Sequence, residues 1–421
     1  MLLRKKPLIF IPGFGGSKLC SIVPPPPPRV IEPKRRTIFS RPKPKNKSDG
    51  APPPPQPPPP PPAPTKNGFI NLNVFDKKWD EKYNLTFEED AGLSTVDDID
   101  VYDFGGVEGI RNLCEDCEQI DNMLGYILRK DVILNVYNYK YFDTLVTNFE
   151  REGYTAGKDM RGAPYDFRKI MIPEYMLQYF ERLKALIEES VEHTRMPAVV
   201  VSHSIGSLIF YIFLVEYCTS AWKDKYIDKF ISVAGPFGGS SIALKTLLSG
   251  LPKLSLNFLK DKYYNVIQKS SGMMLALPNV LGYNNHDIIV HDRASRSDYT
   301  LENYLELLPN VSQHVWQNNV RPHLESFLLN TEVDTLFVTS TDHLTERGYI
   351  YDVVDTKVLK EPTNTLMSYG DSVVPKRSLL FHRKNKLLFP NYRFHDFPGT
   401  EHTKVLHSDY LTRLIKACLD A

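Results

Sequence analysis

The hydrophobic pattern is strongest in the middle of the chain. Three valines at positions 199–201 lead into a serine–histidine–serine segment, and an unbroken apolar run follows at 208–215. A short β-branched run predicts a buried strand, whereas a longer apolar run is typical of a buried helix. The pattern therefore predicts a strand, a sharp turn at Ser204 and a helix.

Similar elements alternate along much of the remaining chain. Short apolar runs at 7–11, 230–234 and 335–339 predict further buried strands. Apolar residues spaced by three or four positions predict helices at 141–149 and 176–187. Because strands alternate with helices, we expect the α/β class, with a mainly parallel central sheet covered on both faces.

Small residues lie two positions before and two positions after Ser204, namely Ser202 and Gly206. A nucleophile elbow needs such residues because the backbones of its strand and helix nearly touch. In that motif a strained turn raises the serine above the sheet, where its hydroxyl can attack a substrate. A strand-to-helix turn with an incidental serine would give the same local pattern.

The first strand ends in the glycine-rich segment PGFGGS at 12–17. Glycines at this point let backbone N–H groups turn toward a bound oxygen atom, and the residue after the serine supplies a second N–H. We therefore expect the N–H groups of Phe14 and Ile205 to form an oxyanion hole. A plain glycine turn is the alternative. A phosphate-binding loop is disfavoured because the Gly-Lys-Ser/Thr sequence is absent.

Two further residues complete a candidate catalytic triad. Asp371 lies in a Gly-Asp-Ser segment that is expected to follow a long loop, and His402 follows the last strand, expected at 392–397. The order serine, acid and histidine along the chain is the one that hydrolases with such a sheet use. The other histidines near the site are expected outside the triad: His203 pointing away from the serine, His395 within the strand and His407 on the final helix.

Two other pairs are expected to be structural. Arg161 and Asp166 are charged residues between apolar ones, which favours an ion pair near the site. Cys114 and Cys117 have the spacing of a redox or metal pair, but no second Cys/His pair is near in sequence and both fall on an apolar helical stripe. Buried structural thiols are therefore the favoured interpretation.

Residues 24–66 differ in composition from the rest of the chain. They hold nineteen of the 33 prolines, and nine Lys/Arg against two acidic residues. Proline fixes φ and lacks an N–H donor, so this segment is expected to be extended or disordered. It suits SH3, WW, EVH1 or profilin-type partners, and its basic centre suits anionic lipid. A solvated loop without a partner is the alternative.

An apolar segment with adjacent lysines follows the proline-rich stretch. Aromatic and aliphatic residues beside Lys77 and Lys78 suit a shallow anchor at a membrane surface. The residues expected to contact the membrane or substrate are Phe69, Ile70, Leu72, Val74, Phe75 and Trp79. Packing of these residues into the core is the alternative. A second candidate is the segment at 254–259, which has the pattern of a lid.

Composition narrows the class of protein. The chain has 421 residues, of which 42% are hydrophobic and 24% charged, as in globular proteins. No apolar run reaches the length of a membrane span. Five cysteines and a first strand that begins after six residues favour a reducing, cytoplasmic location without a signal peptide, with peripheral membrane association. The chemistry of a serine triad needs no cofactor, so we expect neither a metal nor an organic cofactor. The charge balance does not suggest a nucleic-acid partner.

Six motifs in order resemble the lecithin:cholesterol acyltransferase family, and within it the lysosomal phospholipase A branch. They lie at 11–17, 153–166, 202–206, 221–239, 369–375 and 398–402. The resemblance implies an α/β-hydrolase core with a membrane-binding insertion and a cap insertion. It also implies cleavage of a phospholipid acyl ester by Ser204, Asp371 and His402. Phe14 stands where the family often has an acidic residue, and the family's disulfide has no counterpart at Cys114 and Cys117.

The motifs and the resemblance together suggest how the chain is divided. We expect the first strand and oxyanion loop at 1–23, the proline-rich insertion at 24–66, a membrane-binding subdomain at 67–121, core with the elbow at 122–240, a cap or lid at 241–332, and core with the acid and histidine at 333–421. The expected function is that of a phospholipase or acyltransferase. The alternatives are an esterase of neutral lipids and a polyproline scaffold on an inactive hydrolase core.

Overall fold

The computed structural model describes residues 5–17, 19–21, 85–88, 92–95, 99–111, 141–249, 264, 266–354 and 361–420. Four sequence predictions lie outside these residues. They concern the proline-rich insertion, the expected membrane-contact residues from Phe69 to Trp79, the Cys114–Cys117 pair and the lid candidate at 254–259. Within the described chain, no helix is both long enough and apolar enough to cross a membrane.

Six strands of the described chain form the central sheet. They are β1 (Leu8–Ile11), β6 (Met160–Gly162), β7 (Ala198–His203), β8 (Ile227–Val233), β11 (Thr335–Thr339) and β14 (Tyr392–Asp396). The order across the sheet is β14-β11-β8-β7-β1-β6, and every neighbouring pair is parallel. The apolar runs that predicted strands all lie in this sheet. Because the strands are parallel, their carboxyl ends meet at one edge, where the loops after β1, β7 and β14 come together.

Both faces of the sheet are buried. Alternate residues of β1 belong to opposite clusters, with Ile9 in one hydrophobic cluster and Leu8 and Phe10 in the other. This is the result of a period-two strand between two helical layers. The helices that cover the sheet or follow its strands are α1 (Glu108–Arg111), α2 (Asp143–Arg151), α3 (Pro173–Thr194), α4 (Ile205–Ile212), α5 (Ser220–Tyr226), α6 (Ser241–Ser249), α7 (Ser271–Leu275), α8 (Asn310–Val315), α9 (Lys376–Leu379), α10 (Phe381–Lys384) and α11 (Asp409–Asp420).

Besides the α-helices, the described chain contains π-helical and 3-10 turns. Helix α4 continues as a π-helical turn over Phe213–Tyr217, and α8 continues similarly over Trp316–Val320. The 3-10 turns lie at Tyr304–Leu307, Arg321–Leu328 and Lys404–His407. This parallel, doubly covered sheet with a strand–serine–helix turn at its carboxyl edge is an α/β-hydrolase fold, as the sequence predicted.

A second sheet replaces the long loop that was expected before Asp371. It has the order β10-β9-β12-β13, formed by β9 (Val290–Asp292), β10 (Ser297–Tyr299), β12 (His343–Tyr351) and β13 (Asn364–Gly370). The long-loop prediction was wrong, since β12 and β13 pair as antiparallel strands. The sequence did not reveal β12 because a register shift between Glu346 and Gly348 interrupts its alternation of buried and exposed residues. Two further pairs are β2 (Leu19–Ser21) with β5 (Ile99–Val101), and β3 (Leu85–Glu88) with β4 (Gly92–Thr95).

The predicted ion pair between Arg161 and Asp166 was also wrong. Arg161, in β6, donates to the Gly105 carbonyl at 2.9 Å and pairs with Glu189 at 2.9 Å. Asp166 is fully buried and accepts two hydrogen bonds from the Arg168 guanidinium, at 3.0 and 2.7 Å. The strand directs Arg161 to the edge of the sheet, whereas the following loop brings Asp166 and Arg168 together two residues apart.

Candidate active site

Ser204 occupies the turn between β7 and α4. Its φ of 54° and ψ of −129° lie in a region that residues with a side chain rarely adopt. The Ser204 N–H donates to the carbonyl of Val233 at 2.8 Å, which ties the turn to the neighbouring strand. A buried serine is therefore held on a strained turn at the carboxyl edge of the sheet, as a nucleophile elbow requires.

His402 lies on the loop that follows β14 and points back across the sheet edge. Its Nε2 atom is 2.9 Å from Ser204 Oγ, and its Nδ1 atom is 2.7 Å from Asp371 Oδ2. A carboxylate only accepts hydrogen bonds, so the proton of the neutral imidazole belongs on Nδ1. Nε2 is then left as an acceptor facing the serine hydroxyl, which is the arrangement that general-base catalysis needs.

Asp371 follows β13 and is almost completely buried. Its second carboxylate oxygen, Oδ1, accepts the N–H groups of Val373 at 3.0 Å and Val374 at 2.7 Å. These bonds fix the carboxyl group so that Oδ2 faces the imidazole. The structure thus brings together the three residues that the sequence proposed as a triad, and their catalytic role remains a prediction.

The two expected oxyanion donors lie beside the serine. Phe14 and Ile205 both line the cavity that contains Ser204. Among the described residues, neither backbone N–H has a hydrogen-bond acceptor. The half-buried Phe14 ring packs edge-on against Phe167, with ring centroids 4.6 Å apart. Two unpaired donors next to a candidate nucleophile suit the assigned role, which remains a prediction.

A cavity of about 180 Å³ opens next to Ser204. Part of its wall comes from α6, α7 and the residue after α7. These wall residues are Ile242, Ala243, Thr246, Met273 and Ala276. Ser204, His402 and the two oxyanion-hole candidates also line this cavity. An apolar wall facing a serine can hold a hydrocarbon chain while its ester group lies against the nucleophile.

Tyr141 and His203, which also line the cavity, were not identified from the sequence as parts of one network. His203 is outside the triad, as expected, but its ring centroid lies 4.8 Å from that of His402. Its Nε2 atom is 2.9 Å from the His402 carbonyl oxygen, and its Nδ1 atom bonds to the hydroxyl of Tyr141. Burial is the main cause that lowers the pKa of His203 well below its usual value, and the neighbouring His402 adds to this effect. Nothing local in the sequence links Tyr141 to this histidine.

The other candidates have plain outcomes. His395 lies in β14, as predicted, and stacks on Tyr410. His407 ends a 3-10 turn just before α11 rather than lying on the helix itself. The membrane-contact residues expected between Phe69 and Trp79 fall outside the described chain. In the part that is described, no group of three or more His, Cys, Asp or Glu side chains is arranged to hold a metal ion.

Residues 128–336 match the family model described as Lecithin:cholesterol acyltransferase. This match places residues 128–336, which are 209 of the 421 residues, in the lecithin:cholesterol acyltransferase family. It is 30% identical over 246 residues to the phosphatidylcholine-sterol acyltransferase of Gallus gallus, covering 56% of each chain. It is 41% identical over 110 residues to the lysosomal phospholipase A and acyltransferase of Homo sapiens, covering 26% of each chain.

The chain spans about half the length of the curated family members that it matches. The shares are 56% for the chicken protein and 40% for the lysosomal phospholipase A and acyltransferase of Rattus norvegicus. Among solved structures, the Tle4-Tli4 complex aligns over 98% of each chain at 12% identity with a TM-score of 0.48. That score is too low to support the fold assignment, which rests on the sheet order and on the family.

Proposed function

We propose that the protein cleaves a fatty-acyl ester of a phospholipid through an acyl-Ser204 intermediate and passes the acyl group to water or a lipid alcohol. The observation that carries this proposal is the Ser204–His402–Asp371 arrangement on a strained elbow beside an apolar cavity. The names of the similar proteins, which include an acyltransferase and a phospholipase A, support the class of reaction.

The first half of the reaction forms the acyl-enzyme. His402 Nε2 takes the hydroxyl proton of Ser204 as Oγ attacks the acyl carbonyl carbon. Asp371 holds the imidazole in its tautomer and stabilises the imidazolium. The oxyanion is bound by the N–H groups of Phe14 and Ile205, each contributing about 3 kcal/mol to the transition state. The tetrahedral intermediate then expels the lysophospholipid alkoxide, which takes the proton from His402.

The second half of the reaction releases the acyl group. Water or an alcohol gives its proton to His402 Nε2 and attacks the carbonyl carbon of acyl-Ser204. Collapse of the second tetrahedral intermediate breaks the ester bond to Ser204 Oγ, which recovers the proton from His402. Because the same residues serve both acceptors, one site can act as a hydrolase and as a transferase. No step of this scheme calls for a metal or an organic cofactor.

The cap expected at 241–332 is proposed to supply the acyl-binding wall. Helices α6 and α7 fall in this stretch, and their residues line the cavity beside the nucleophile. An insertion placed there would determine which chains reach Ser204 and would exclude water during the first half-reaction. The remaining domain boundaries are proposed from the sequence motifs and the family resemblance.

A membrane surface is proposed as the place where the protein meets its substrate. The sequence places the docking residues in the 69–79 segment, beside two lysines. Replacement of Val74 and Phe75 by Asp should weaken binding to phospholipid vesicles and turnover of vesicle substrate together, because both need the same contact. Hydrolysis of a soluble ester should be spared. Equal loss on both substrates would place these residues in the core instead.

The proline-rich segment is proposed to bind an SH3-, WW- or profilin-type partner apart from catalysis. Deletion of residues 24–64 should leave hydrolysis of dispersed short-chain esters nearly unchanged, because loop-closure entropy changes slowly with length. Loss of folding on deletion would show that the segment packs on the core. The cytoplasmic, peripherally membrane-associated location expected from the sequence remains a prediction alongside this one.

A neutral-lipid esterase is the second candidate function. One observation favours it: within the described chain, the cavity lining contains no Lys or Arg side chain that could bind a phosphate. Matched vesicles or emulsions of phosphatidylcholine, an anionic phospholipid and a triacylglycerol distinguish the two candidates. The proposal expects release of fatty acid from phospholipid, transfer to an added long-chain alcohol, and neither product with Ser204→Ala. Turnover of triacylglycerol alone would select the second candidate.

A further inference from the structure

A continuous chain of hydrogen bonds runs beside Ser204 and joins the loop after β1 to the loop after β14. The Gly13 N–H donates to the Tyr141 hydroxyl at 2.9 Å, and this hydroxyl bonds to His203 Nδ1. His203 Nε2 lies 2.9 Å from the His402 carbonyl oxygen. Segments far apart in sequence are therefore connected next to the candidate nucleophile, by two side chains that also line its cavity.

The direction of every proton in this chain follows from its two ends. A carbonyl oxygen only accepts, so His203 Nε2 must carry a proton and donate it to His402. Burial keeps His203 neutral, since its pKa lies well below the usual value. Its Nδ1 atom is then an acceptor, and the Tyr141 hydroxyl must donate to it. The tyrosine oxygen keeps lone pairs for the Gly13 N–H.

Gly13 is wedged between the tyrosine and the nucleophile. A β-carbon at this position would lie 2.6 Å from the Tyr141 hydroxyl and 2.7 Å from Ser204 Cβ. The next residue is Phe14, whose N–H is a candidate oxyanion donor. The bond from the Gly13 N–H to Tyr141 therefore holds the peptide immediately before the one that carries the Phe14 N–H.

The other end of the chain holds the backbone of His402. Its N–H donates to the Asp371 carbonyl at 2.8 Å, and its carbonyl accepts from His203. Both backbone groups are thus fixed, which limits movement of the imidazole relative to Ser204. Because His203 is neutral, the imidazolium that forms on His402 during catalysis has no like charge on the ring 4.8 Å away.

We infer that Tyr141 and His203 are positioning residues, which set the oxyanion loop and His402 relative to Ser204 and thereby accelerate the chemical step. This inference rests on the acyl-ester cleavage by Ser204 proposed above. The two residues act through Gly13 and His402, so their removal should lower kcat and leave KM for a small soluble ester almost unchanged. Misplacement by about 1 Å can lower a rate about 100-fold.

The first test compares Tyr141→Phe with Tyr179→Phe in the full chain. Tyr179 serves as the control because its buried hydroxyl loses its hydrogen bond to the Ala163 carbonyl, at 3.0 Å and away from the cavity, whereas Tyr141→Phe loses the two bonds of the chain. With a short-chain nitrophenyl ester, Tyr141→Phe should lower kcat about 10- to 100-fold with KM within about twofold. Tyr179→Phe should retain wild-type kcat, even if its melting temperature falls as much.

A second test uses two replacements of His203. The amide of His203→Gln can still donate toward the His402 carbonyl, whereas His203→Leu cannot. We expect the glutamine variant to retain about 10-fold more of the kcat than the leucine variant. The rate at which a fluorophosphonate modifies Ser204 should fall in the same order, because that reaction also needs the base and the oxyanion hole.

The outcomes separate this inference from the function on which it rests. Wild-type kcat in Tyr141→Phe, an equal loss in Tyr179→Phe, or equal kcat in the glutamine and leucine variants would overturn it. A wild-type protein that neither hydrolyses the ester nor reacts with the fluorophosphonate would overturn the proposed function, and this inference with it.

Discussion

Gly206 packs so closely against Ile11 that a β-carbon at position 206 would lie 2.8 Å from the Ile11 carbonyl oxygen. The same β-carbon would lie even closer to the carbonyl oxygen of Pro12. The first turn of α4 therefore rests directly on the end of β1. This contact joins the nucleophile elbow to the loop that carries Phe14, and it explains in physical terms why a small residue is needed two positions after Ser204.

Replacement of Gly206 by Ala should therefore disturb the site more than its size suggests. The backbone carbonyls cannot rotate away as a flexible side chain would, so we expect a loss of about 1–3 kcal/mol in the free energy of unfolding. Activity on a soluble ester should fall at least about 10-fold because the oxyanion loop moves relative to Ser204. Urea unfolding and steady-state kinetics measure the two effects.

Gly157→Ala provides the control for this prediction. Gly157 has a φ of 73°, and a β-carbon there would meet nothing within 4 Å, so an alanine is strained without a clash. This variant should lose about 1 kcal/mol of stability and retain wild-type kcat. If Gly206→Ala retained wild-type kcat as well, the contact between α4 and the end of β1 would have no bearing on the site.

The buried pair of Asp166 and Arg168 should be a strong determinant of stability. Burial raises the pKa of Asp166, but Arg168 and Lys169 together more than offset this and hold the pKa below the usual value. Arg168→Met leaves a buried carboxylate without its main partner, which should lower the free energy of unfolding by about 3–5 kcal/mol. Combining it with Asp166→Leu should recover at least half of that loss. A double variant no more stable than Arg168→Met would contradict this account.

His382 should make the fold sensitive to acid. It is fully buried among aromatic rings, including those of Phe237 and Phe337, and neither ring nitrogen meets a partner at hydrogen-bond geometry within the described residues. Burial lowers its pKa to about 3, and a backbone contact with Phe327 offsets only part of this effect. Because the folded-state pKa lies below the unfolded-state value of about 6.5, the unfolded state binds a proton first as the pH falls.

The neutral form of His382 thus contributes stability that is fully present above about pH 6.5 and is lost as the pH falls toward 3. The loss at pH 5 should be about 2 kcal/mol relative to pH 8. His382→Leu should reduce the difference between the two unfolding free energies by about this amount, whereas the exposed His286→Leu should leave it unchanged. An unchanged difference in His382→Leu would show that this histidine does not titrate with unfolding.

The parts of the fold that the sequence predicts well are those set by local apolar runs. The segments 199–201 and 335–339 are buried on both faces, so they read as strands without knowledge of their neighbours. The candidate triad could be predicted from the sequence for a different reason. A parallel sheet places the ends of its strands at one edge, so His402 after the last strand can reach Ser204.

The parts that the sequence did not predict depend on contacts between distant segments. Strand β12 carries a register shift at Glu346 and one partly exposed face, so its alternation is too weak to recognise. Arg161 forms its ion pair with Glu189 on helix α3 and not with Asp166, which is nearer in sequence. The hydrogen bond from Tyr141 to His203 joins a loop to a strand end, and no local pattern encodes it.

The most direct test of this account is the site of modification by a fluorophosphonate. Ser204 is the proposed nucleophile, with His402 Nε2 at 2.9 Å to take its proton. Peptide mapping of the treated full chain should find one equivalent of adduct, on the peptide that contains Ser204. Ser204→Ala should give none, and His402→Ala should react at least about 100-fold more slowly. An active wild-type protein that carries the adduct on another residue, or carries none, would contradict the account.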